Sequence, residues 1–384
     1  MQSDLPERCA LTTSDEVLGN GYTRREIANA ITPRRLGLIV LPTERCNLRC
    51  EYCYEDYAIG KMTPETQRAV ELFIQRRVPR LEVFSLSWFG GEPLVAKDVV
   101  LRLSRFANEQ CTEHGVGLNG SLTTNAYLLD KQTFEDLLEL KQNNYQITLD
   151  GWREAHDAVR RFADGRGSFD RIWENLLAAK TVESNFTINL RIHVRRDNIE
   201  TLPELMQEIA KAFGNDARFS LKFQHVRNLG GEGGQRIKSP VGRNELYGIE
   251  ATLRDVYQRS LAAIGKAVVE SDGALENGAA QDMLDVQPAP KETRCSPQAE
   301  DSAAKFATYI CYAAQPNSLI IRADGRIAKC TVHFGDDMNT LGHIRDDGTL
   351  DIDNAKIKPW IRGLEFLNAA DLRCPAQHMK LGCK

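Results

Sequence analysis

The sequence predicts an α/β protein: a partial (β/α)6 barrel followed by a small cysteine-rich segment. From about residue 36 to residue 226, short β-rich runs alternate with longer stretches of helical period, the pattern of strands and helices around a parallel sheet. Only six such units are present, whereas a closed TIM barrel has eight. Five of the ten cysteines lie in the last hundred residues, which sets the C-terminal part apart from the barrel.

Six β-rich runs are the predicted strands, namely 36–41, 82–91, 115–124, 145–151, 187–194 and 218–226. Helical periodicity between them predicts helices near 63–79, 97–112, 128–140, 167–181 and 201–213. The first helix has a well-marked start, because Thr63 is a suitable N-cap, Pro64 fits the first helical position and Gln67 takes the capping-box place. Active sites of such barrels form at the carboxyl ends of the strands.

The stretches after the last predicted strand complete a division of the whole chain into four regions. Glycines in 228–235 predict a flexible loop, a helical segment follows at about 243–270, and the polar, proline-bearing stretch after it predicts a linker. We therefore expect an N-terminal segment (1–35), the partial barrel (36–235), a helical linker region (236–294) and an auxiliary domain (295–384).

Composition limits the compartment and the partners. The 384 residues are 42% apolar and 27% charged, with a net charge of only −4, so no polyanion-binding surface and no nucleic-acid partner are expected. The N-terminus lacks the apolar stretch of a signal peptide, and no run approaches the roughly 20 apolar residues of a membrane span. We expect a cytoplasmic protein without a membrane partner. Because thiols stay reduced in that compartment, metal ligation is the leading explanation for the clustered cysteines.

Three cysteines follow the first strand directly, with the spacing Cys46-x3-Cys50-x2-Cys53. A structural zinc site takes four ligands, usually from two short knuckles, and this loop supplies only three. A four-iron cluster can be held by three thiolates, which leaves one iron open for a further ligand. The alternative is three buried, inert cysteines in a loop between strand and helix.

The string "CNLRCEYCY" resembles the signature of the radical S-adenosylmethionine (SAM) enzymes, in which such a loop follows the first strand of a six-unit partial barrel. It is closest to the peptide-modifying branch that carries an auxiliary-cluster domain, called SPASM or Twitch. The resemblance implies that the three cysteines hold a [4Fe-4S] cluster whose open iron binds SAM. It also implies that Tyr52, the aromatic residue before the third cysteine, lies near the adenine.

Two further stretches resemble cofactor-binding motifs of that family. "WFGGEPL" (88–94) is similar to its Gly-Gly-Glu-Pro motif, which implies that Gly90, Gly91 and Glu92 form the cofactor site and that backbone carbonyls there accept from the methionine ammonium. "TTNA" (123–126) is similar to its Thr-Asn-Gly, which implies that Asn125 lines the same pocket.

"TLDGWREAHDAVR" (148–160) resembles the Ser-Leu-Asp-Gly…His-Asp-x-x-Arg stretch of the peptide- and sulfatase-modifying members. The resemblance implies that Thr148 hydrogen-bonds the cofactor and that Arg160 pairs with the methionine carboxylate, which suits a guanidinium. Asp150 is the candidate catalytic residue, facing cofactor or substrate. His156 and Asp157 are interpreted as structural residues of the loop.

The C-terminal cysteines form a second candidate metal site. "SLIIRADGRIAKC" predicts a hairpin with its turn at Asp324-Gly325 between Cys311 and Cys330, which resembles the opening of a SPASM or Twitch domain. That resemblance implies one auxiliary [4Fe-4S] cluster, and its candidate ligands are Cys311, Cys330, Cys374 and Cys383, with Cys295 as a further candidate. Zinc on the same four thiolates is the alternative.

Two departures from the family patterns limit the number of auxiliary clusters and the activity that the resemblance implies. Gln377 stands where the full SPASM pattern has a cysteine, so a second auxiliary cluster is not expected. Thr331 stands where the sulfatase-maturing members have an acidic residue, which counts against sulfatase maturation.

The function these resemblances imply is a radical SAM oxidoreductase. We expect it to abstract a hydrogen atom from a precursor peptide and to form a crosslink in a ribosomally synthesised, modified peptide. The expected partners are that peptide and a low-potential electron donor such as flavodoxin or ferredoxin. A leader peptide would be recognised by the barrel or by a separate leader-binding protein, since only about 35 residues precede the first strand. The alternatives are dehydrogenation of a small alcohol or sugar, and a non-catalytic metal-binding scaffold.

Overall fold

The structure is a computed structural model and describes residues 16–272 and 309–381. Its strands are β1 (Arg35–Val40), β2 (Val83–Trp88), β3 (Gly117–Thr124), β4 (Gln142–Leu149), β5 (Thr187–Val194), β6 (Phe219–His225), β7 (Ser318–Ile321), β8 (Arg326–Ala328), β9 (Gly342–Ile344) and β10 (Leu350–Ile352). Its α-helices are α1 (Arg24–Ile31), α2 (Pro64–Arg77), α3 (Lys97–His114), α4 (Lys131–Glu139), α5 (Glu154–Asp157), α6 (Phe169–Lys180), α7 (Leu202–Phe213), α8 (Gly231–Arg236), α9 (Arg243–Asp272), α10 (Asn354–Glu365), α11 (Ala369–Arg373) and α12 (Pro375–His378).

The first six strands form the predicted parallel sheet in sequential order, each one pairing with the next. Within the described residues β6 pairs only with β5, so the barrel is not closed and the predicted partial barrel is confirmed. The predicted strands and helices are all present, with ends shifted by a few residues. None of the described helices is long and apolar enough to span a membrane.

The two faces of the sheet differ in chemistry. The outward face packs against the helices through fully buried side chains such as Leu38, Leu86 and Leu190. Alternate positions face inward and are polar, for example Ser87 in β2 and Gln146 in β4, both of which line a cavity. Successive strand residues point to opposite faces, so this alternation leaves the inside of the open barrel available to a polar ligand.

The C-terminal segment extends the barrel sheet. Strand β7 pairs in parallel with β1, with Leu38 opposite Leu319, and β8, β9 and β10 continue the sheet in antiparallel order. The turn between β7 and β8 contains Asp324 and Gly325, as predicted, and Gly325 has φ +86, which favours glycine. The predicted auxiliary region therefore shares one ten-stranded sheet with the barrel. The bounds of the four predicted regions stay predictions.

Two local expectations are wrong. Thr63 does cap α2 by accepting from the Thr66 N–H at 3.2 Å, but Gln67 does not complete a capping box, since it is buried and donates to the Met62 carbonyl at 2.9 Å. The glycine-rich stretch 228–235 contains the short helix α8, which packs against the cysteine loop. A Cβ on Gly233 would lie 2.3 Å from the Cys53 carbonyl oxygen, so glycine is needed for this close approach.

A buried ion pair joins the cysteine loop to the β7–β8 hairpin. Arg322 donates from Nε to Glu44 Oε1 at 2.8 Å and from Nη2 to Glu44 Oε2 at 2.6 Å. Both side chains are almost fully excluded from solvent, and the guanidinium also lies over the ring of Phe334. The bidentate geometry fixes the orientation of the hairpin relative to the loop.

We predict that breaking this pair on one side destabilises the protein strongly. Glu44→Gln removes the carboxylate that is paired directly with the buried Arg322 charge, so the free energy of unfolding falls by about 3–5 kcal/mol. Urea denaturation of the apoprotein measures the change. The control is Glu82→Gln, which removes the partner of Arg34 at an exposed ion pair and costs less than about 1 kcal/mol. Equal losses in the two variants would contradict the prediction.

Candidate active site

A cavity of about 530 Å³ lies at the carboxyl ends of the barrel strands. The structure brings together around it the residues that the sequence motifs single out, with one exception. The predicted residues that line it are Cys46, Cys50, Tyr52, Cys53, Gly90, Gly91, Glu92, Asn125, Thr148 and Arg160. The exception is Asp150, which is completely buried behind the cavity wall.

The three loop cysteines are free thiols in a low-dielectric setting. Burial raises the pKa of Cys50 to about 11, with the Arg160 charge opposing the shift, and burial also raises the pKa values of Cys46 and Cys53. Two N–H groups already point at the Cys46 sulfur, from Leu48 at 3.4 Å and from Asn125 at 3.9 Å. These thiols are therefore protonated until a metal displaces their protons.

The glycines of the Gly-Gly-Glu-Pro turn allow backbone to pack on backbone. A Cβ on Gly90 would lie 2.2 Å from the Thr43 carbonyl oxygen, and one on Gly91 would lie 2.5 Å from the carbonyl oxygens of Glu44 and Arg45. Real Cβ atoms do not approach so closely, so both glycines are required for the turn to support the start of the cysteine loop. This structural role accompanies the predicted approach to a cofactor.

Glu92 joins the same turn to the end of β3 by hydrogen bonds. Its carboxylate accepts from the Thr124 hydroxyl at 2.7 Å, from the Asn125 N–H at 2.7 Å and from the Leu94 N–H at 3.1 Å. Burial raises the pKa of Glu92, and these hydrogen bonds oppose the shift. Asn125 in turn donates to the Asn47 side chain at 2.8 Å, inside the cysteine loop. Glu92 thus orients Asn125 in the cavity wall.

Tyr52 is the centre of a buried polar network. Its hydroxyl donates to Asp150 Oδ2 at 2.6 Å and accepts from Arg160 Nη1 at 2.8 Å, and it lies 3.0 Å from His193 Nδ1. Asp150 also accepts from Arg195 Nη1 at 2.6 Å. The network joins the cysteine loop to the ends of β4 and β5.

The charges of this network follow from burial and pairing. Burial by itself would raise the pKa of Asp150, but the surrounding cationic groups hold that pKa well below its usual range. Burial lowers the pKa of His193 to about 4, so its imidazole is neutral at pH 7. The guanidiniums of Arg160 and Arg195 therefore supply the positive charge that keeps Asp150 ionised at neutral pH.

The sequence motifs did not identify the contribution of β5. Arg191, His193 and Arg195 alternate along this strand and its end and point inward. Arg191 Nε donates to the Thr148 hydroxyl at 3.0 Å, so this strand supports a predicted cofactor contact. Polar residues at every second position of "LRIHVR" are the signal that would have indicated an inward-facing, functional edge.

A second missed residue is Glu55, which lines the cavity two residues after Cys53. Burial raises its pKa to about 8, the neighbouring Glu44 adds to the shift and Arg322 opposes it. Its Oε1 atom is buried and has no hydrogen-bond partner within 16–272 and 309–381. The cavity therefore presents a carboxyl group that is mostly protonated at pH 7.

The C-terminal cysteines come together near the same cavity. Charges on Cys311, Cys330 and Cys374 act on one another, and the Cys311 N–H donates to the Leu372 carbonyl at 2.8 Å. Backbone N–H groups of Val332 and His333 point at the Cys330 thiol, as suits a thiolate ligand. The other two candidate ligands, Cys295 and Cys383, lie outside the described residues.

The cavity of the loop cysteines extends to the neighbours of two C-terminal cysteines. Tyr312 and Thr331, which directly follow Cys311 and Cys330, line the cavity that contains the loop cysteines. Their hydroxyls are 3.0 Å apart, and the Thr331 N–H donates to the Tyr312 hydroxyl at 3.0 Å. The cavity wall therefore includes residues from both the cysteine loop and the C-terminal segment.

Comparison with known proteins agrees with this geometry. Residues 40–224 match the Radical SAM superfamily. These residues form a radical SAM domain.

Two curated relatives of this domain are named for different enzyme activities. The chain is 27% identical over 168 residues to an Fe-coproporphyrin III synthase of Methanosarcina barkeri, covering 42% of this chain and 38% of the relative. It is 26% identical over 181 residues to a PqqA peptide cyclase of Granulibacter bethesdensis, covering 47% and 45%. The matched region is thus less than half of either relative.

A solved structure is similar over most of the chain. It is native anSMEcpe with bound AdoMet and the Cp18Cys peptide. It superposes with a TM-score of 0.58 at 16% identity and covers 89% of this chain and 83% of its own. At this identity the likeness concerns the fold, and it extends beyond the radical SAM domain into the C-terminal segment.

The residues fit the [4Fe-4S] cluster and SAM that this family uses. In the described part of the chain no group of three or more His, Cys, Asp or Glu side chains converges tightly enough to hold a single metal ion. Three cysteine thiols line one cavity, and three thiolates are a ligand set that can hold a four-iron cluster. Arg160 also lines the cavity, where its guanidinium bonds the Tyr52 hydroxyl and brings a positive charge to the wall for an anionic ligand.

We predict that the buried network makes stability fall in mild acid. Because the pKa of His193 is about 4 in the folded chain and about 6.5 when unfolded, the unfolded state takes up more protons as the pH falls below 6.5. Between pH 7 and pH 5 this contribution destabilises the fold by about 2 kcal/mol.

Urea denaturation of the apoprotein at pH 7 and pH 5 tests this, with His193→Gln as the variant. The variant should lose about 2 kcal/mol less than the wild type over this interval. His114→Gln, at the exposed end of α3, controls for the loss of a histidine. The prediction fails if His193→Gln keeps the full pH dependence of the wild type.

Proposed function

We propose that this protein is a radical SAM enzyme that modifies a peptide, with a [4Fe-4S] cluster on Cys46, Cys50 and Cys53. The observation that carries the proposal is the single cavity in which these thiols, the glycine turn and Arg160 meet. When bound, the cluster and SAM supply a 5′-deoxyadenosyl radical, which takes a hydrogen atom from an unactivated C–H bond. The protein's own task is to place that bond and to exclude water.

Each predicted side chain has a distinct role in this proposal. Thr148 and Arg160 hold the methionine end of SAM, by a hydroxyl hydrogen bond and by charge-assisted hydrogen bonds to the carboxylate. Asp150 is a positioning residue, because its carboxylate is wholly engaged by Tyr52 and Arg195 and does not reach the cavity. Its function is to hold Arg160 and Tyr52 in place. Glu55 and the Tyr312–Thr331 pair face the substrate.

The proposed auxiliary [4Fe-4S] cluster is held by Cys311, Cys330 and Cys374, with Cys383 as the fourth ligand. A substrate in the cavity would lie between the two clusters, so the auxiliary cluster is placed to accept the electron left on an oxidised substrate. This arrangement suits a net oxidation such as a crosslink. A low-potential donor of the flavodoxin or ferredoxin kind would supply the first electron.

A peptide substrate is supported by two observations. The inner face of the open barrel is polar, with serine, asparagine, glutamine and threonine side chains that can bond peptide N–H and C=O groups. The PqqA peptide cyclase and the peptide-bound anSMEcpe share, respectively, sequence and fold with this chain.

The second candidate function is dehydrogenation of a small alcohol or sugar. A cavity of about 530 Å³ with polar groups in its wall is of a size that encloses one small molecule. Product analysis separates the two: a peptide crosslink lowers the peptide mass by two hydrogens, whereas the alternative yields a carbonyl on the small molecule.

We predict about eight irons and eight sulfides per chain after anaerobic reconstitution, as two four-iron clusters require. The Cys46→Ala/Cys50→Ala/Cys53→Ala variant should keep about four of each. The matched control is Cys111→Ala. Cys111 is a buried residue of α3 that does not line the cavity, so this variant should still bind eight irons. A triple variant without iron would make the C-terminal thiols zinc ligands or spectators and remove the proposed electron acceptor.

We predict that Arg160→Gln raises the KM for SAM by about 10- to 100-fold, the value of a lost charge-assisted contact. The measurement is reductive formation of 5′-deoxyadenosine from SAM with dithionite. Its neighbour Arg161 pairs with Glu51 at the surface, so Arg161→Gln should leave the KM unchanged. No 5′-deoxyadenosine from the reconstituted wild type would instead support a non-catalytic scaffold.

A further inference from the structure

Arg191 brings a positive charge without a counter-charge to the cavity wall. Its Nε donates to the Thr148 hydroxyl at 3.0 Å. Among residues 16–272 and 309–381, no carboxylate forms an ion pair with its guanidinium, and its two terminal nitrogens donate to no side chain or backbone carbonyl. Most of the N–H donors of this guanidinium are therefore free for a ligand.

The position of Arg191 disfavours a cation that has no partner. Burial lowers the pKa of Arg191, and the nearby charge of Arg160 acts in the same direction. Asp150 opposes these effects, but its carboxylate already pairs with Arg160 and Arg195. Since arginine keeps its proton in proteins, the guanidinium is charged, and an anion is the usual compensation for such a charge. The position therefore indicates an anion that no described side chain supplies.

Thr148 presents a second donor to the same place. It lies opposite Arg191 in the pairing of β4 with β5, and both residues line the cavity. Because the Thr148 hydroxyl accepts from Arg191 Nε, its own proton is free, and no acceptor in the described part of the chain takes it. A carboxylate can accept from a hydroxyl and from a guanidinium at once. The two residues thus form a donor set for one carboxylate.

Arg160 is less free than Arg191 to bind that carboxylate. Its Nη1 donates to the Tyr52 hydroxyl at 2.8 Å, and its Nε lies 3.6 Å from Asp150 Oδ2, so part of its charge is already balanced. Thr148 is a proposed contact of the methionine end of SAM. The carboxylate that meets both Thr148 and Arg191 is therefore the carboxylate of SAM.

We infer that Arg191 is a cofactor-binding residue: its terminal nitrogens pair with the carboxylate of SAM, and its Nε orients the Thr148 hydroxyl toward the same group. The inference rests on the proposed function. It adds a contact from β5 that no sequence motif indicates. It also assigns the free guanidinium to the cofactor, so the substrate does not have to supply an anion at this position.

The test is equilibrium binding of SAM to the anaerobically reconstituted protein without a reductant, so that SAM is not cleaved. The second ligand is decarboxylated SAM, which keeps the adenosine, the sulfonium and the amine and lacks only the carboxylate. We expect Arg191→Gln to weaken the binding of SAM by about 10- to 100-fold and to leave that of decarboxylated SAM nearly unchanged. A structural role of Arg191 would weaken both ligands alike.

Lys222→Gln is the matched control. Lys222 lies opposite Arg191 on β6, is exposed and does not line the cavity. The substitution therefore removes one positive charge from the neighbouring position without touching the proposed site. This variant should bind both ligands as the wild type does.

The other outcomes overturn the inference. Unchanged binding of SAM by Arg191→Gln would leave the guanidinium for an anion of the substrate, and equal losses for the two ligands would show a structural role. If Arg191→Gln binds fewer irons than the wild type, Arg191→Met replaces it in the same comparison. Loss of the cluster from both variants would assign Arg191 to the folding of the site and also overturn the inference.

Two points complete the design. If decarboxylated SAM does not bind the wild type measurably, methylthioadenosine, which lacks the whole amino acid moiety, is the second ligand. Formation of 5′-deoxyadenosine by the reduced wild type tests the proposed function separately. Its absence, together with a selective loss of SAM binding in Arg191→Gln, would overturn the function and keep the inference.

Discussion

The site depends on how the cysteine loop is held, because the loop has almost no secondary structure of its own. Between β1 and α2 it forms only isolated bridges, such as Thr43 to Lys61 and Leu48 to Phe162. Its shape is imposed by its neighbours: the glycine turn packs on its first residues, α8 packs on its last and Tyr52 anchors its middle. Three thiols that must meet one cofactor therefore receive their positions from distant parts of the chain, which is how a loop becomes a pre-organised site.

The same loop connects the barrel to the C-terminal segment. Glu44 begins it and pairs with Arg322 of the hairpin, while β7 adds to the sheet beside β1. Both connections are buried, so the spacing between the two cysteine sets is fixed by the folded core and does not depend on a flexible linker. A reaction in which a substrate exchanges hydrogen with one centre and electrons with another requires such a fixed spacing.

The sequence predicted those parts of the structure that rest on local pattern. Alternation and helical period located β1–β6 and their helices, and the spacing of Cys46, Cys50 and Cys53 located the loop. Features that depend on contacts between distant residues were not accessible. The parallel pairing of β7 with β1 and the close packing of Gly233 on the loop belong to this class. Strand pairing and backbone contact leave no signal within one short stretch.

Electrostatics explains why the cavity wall contains so many arginines. Asp150 is fully buried and ionised, and its charge is balanced by Arg195 and Arg160, while Arg195 also pairs with Asp197. Arg191 adds a further positive charge, since it lines the cavity, donates to the Thr148 hydroxyl and forms no ion pair among the described residues. A buried excess charge is stable only when an anion joins it. The cavity wall thus has an unbalanced positive charge beside the three thiols. The carboxylate of SAM has the charge and the bidentate geometry to balance it.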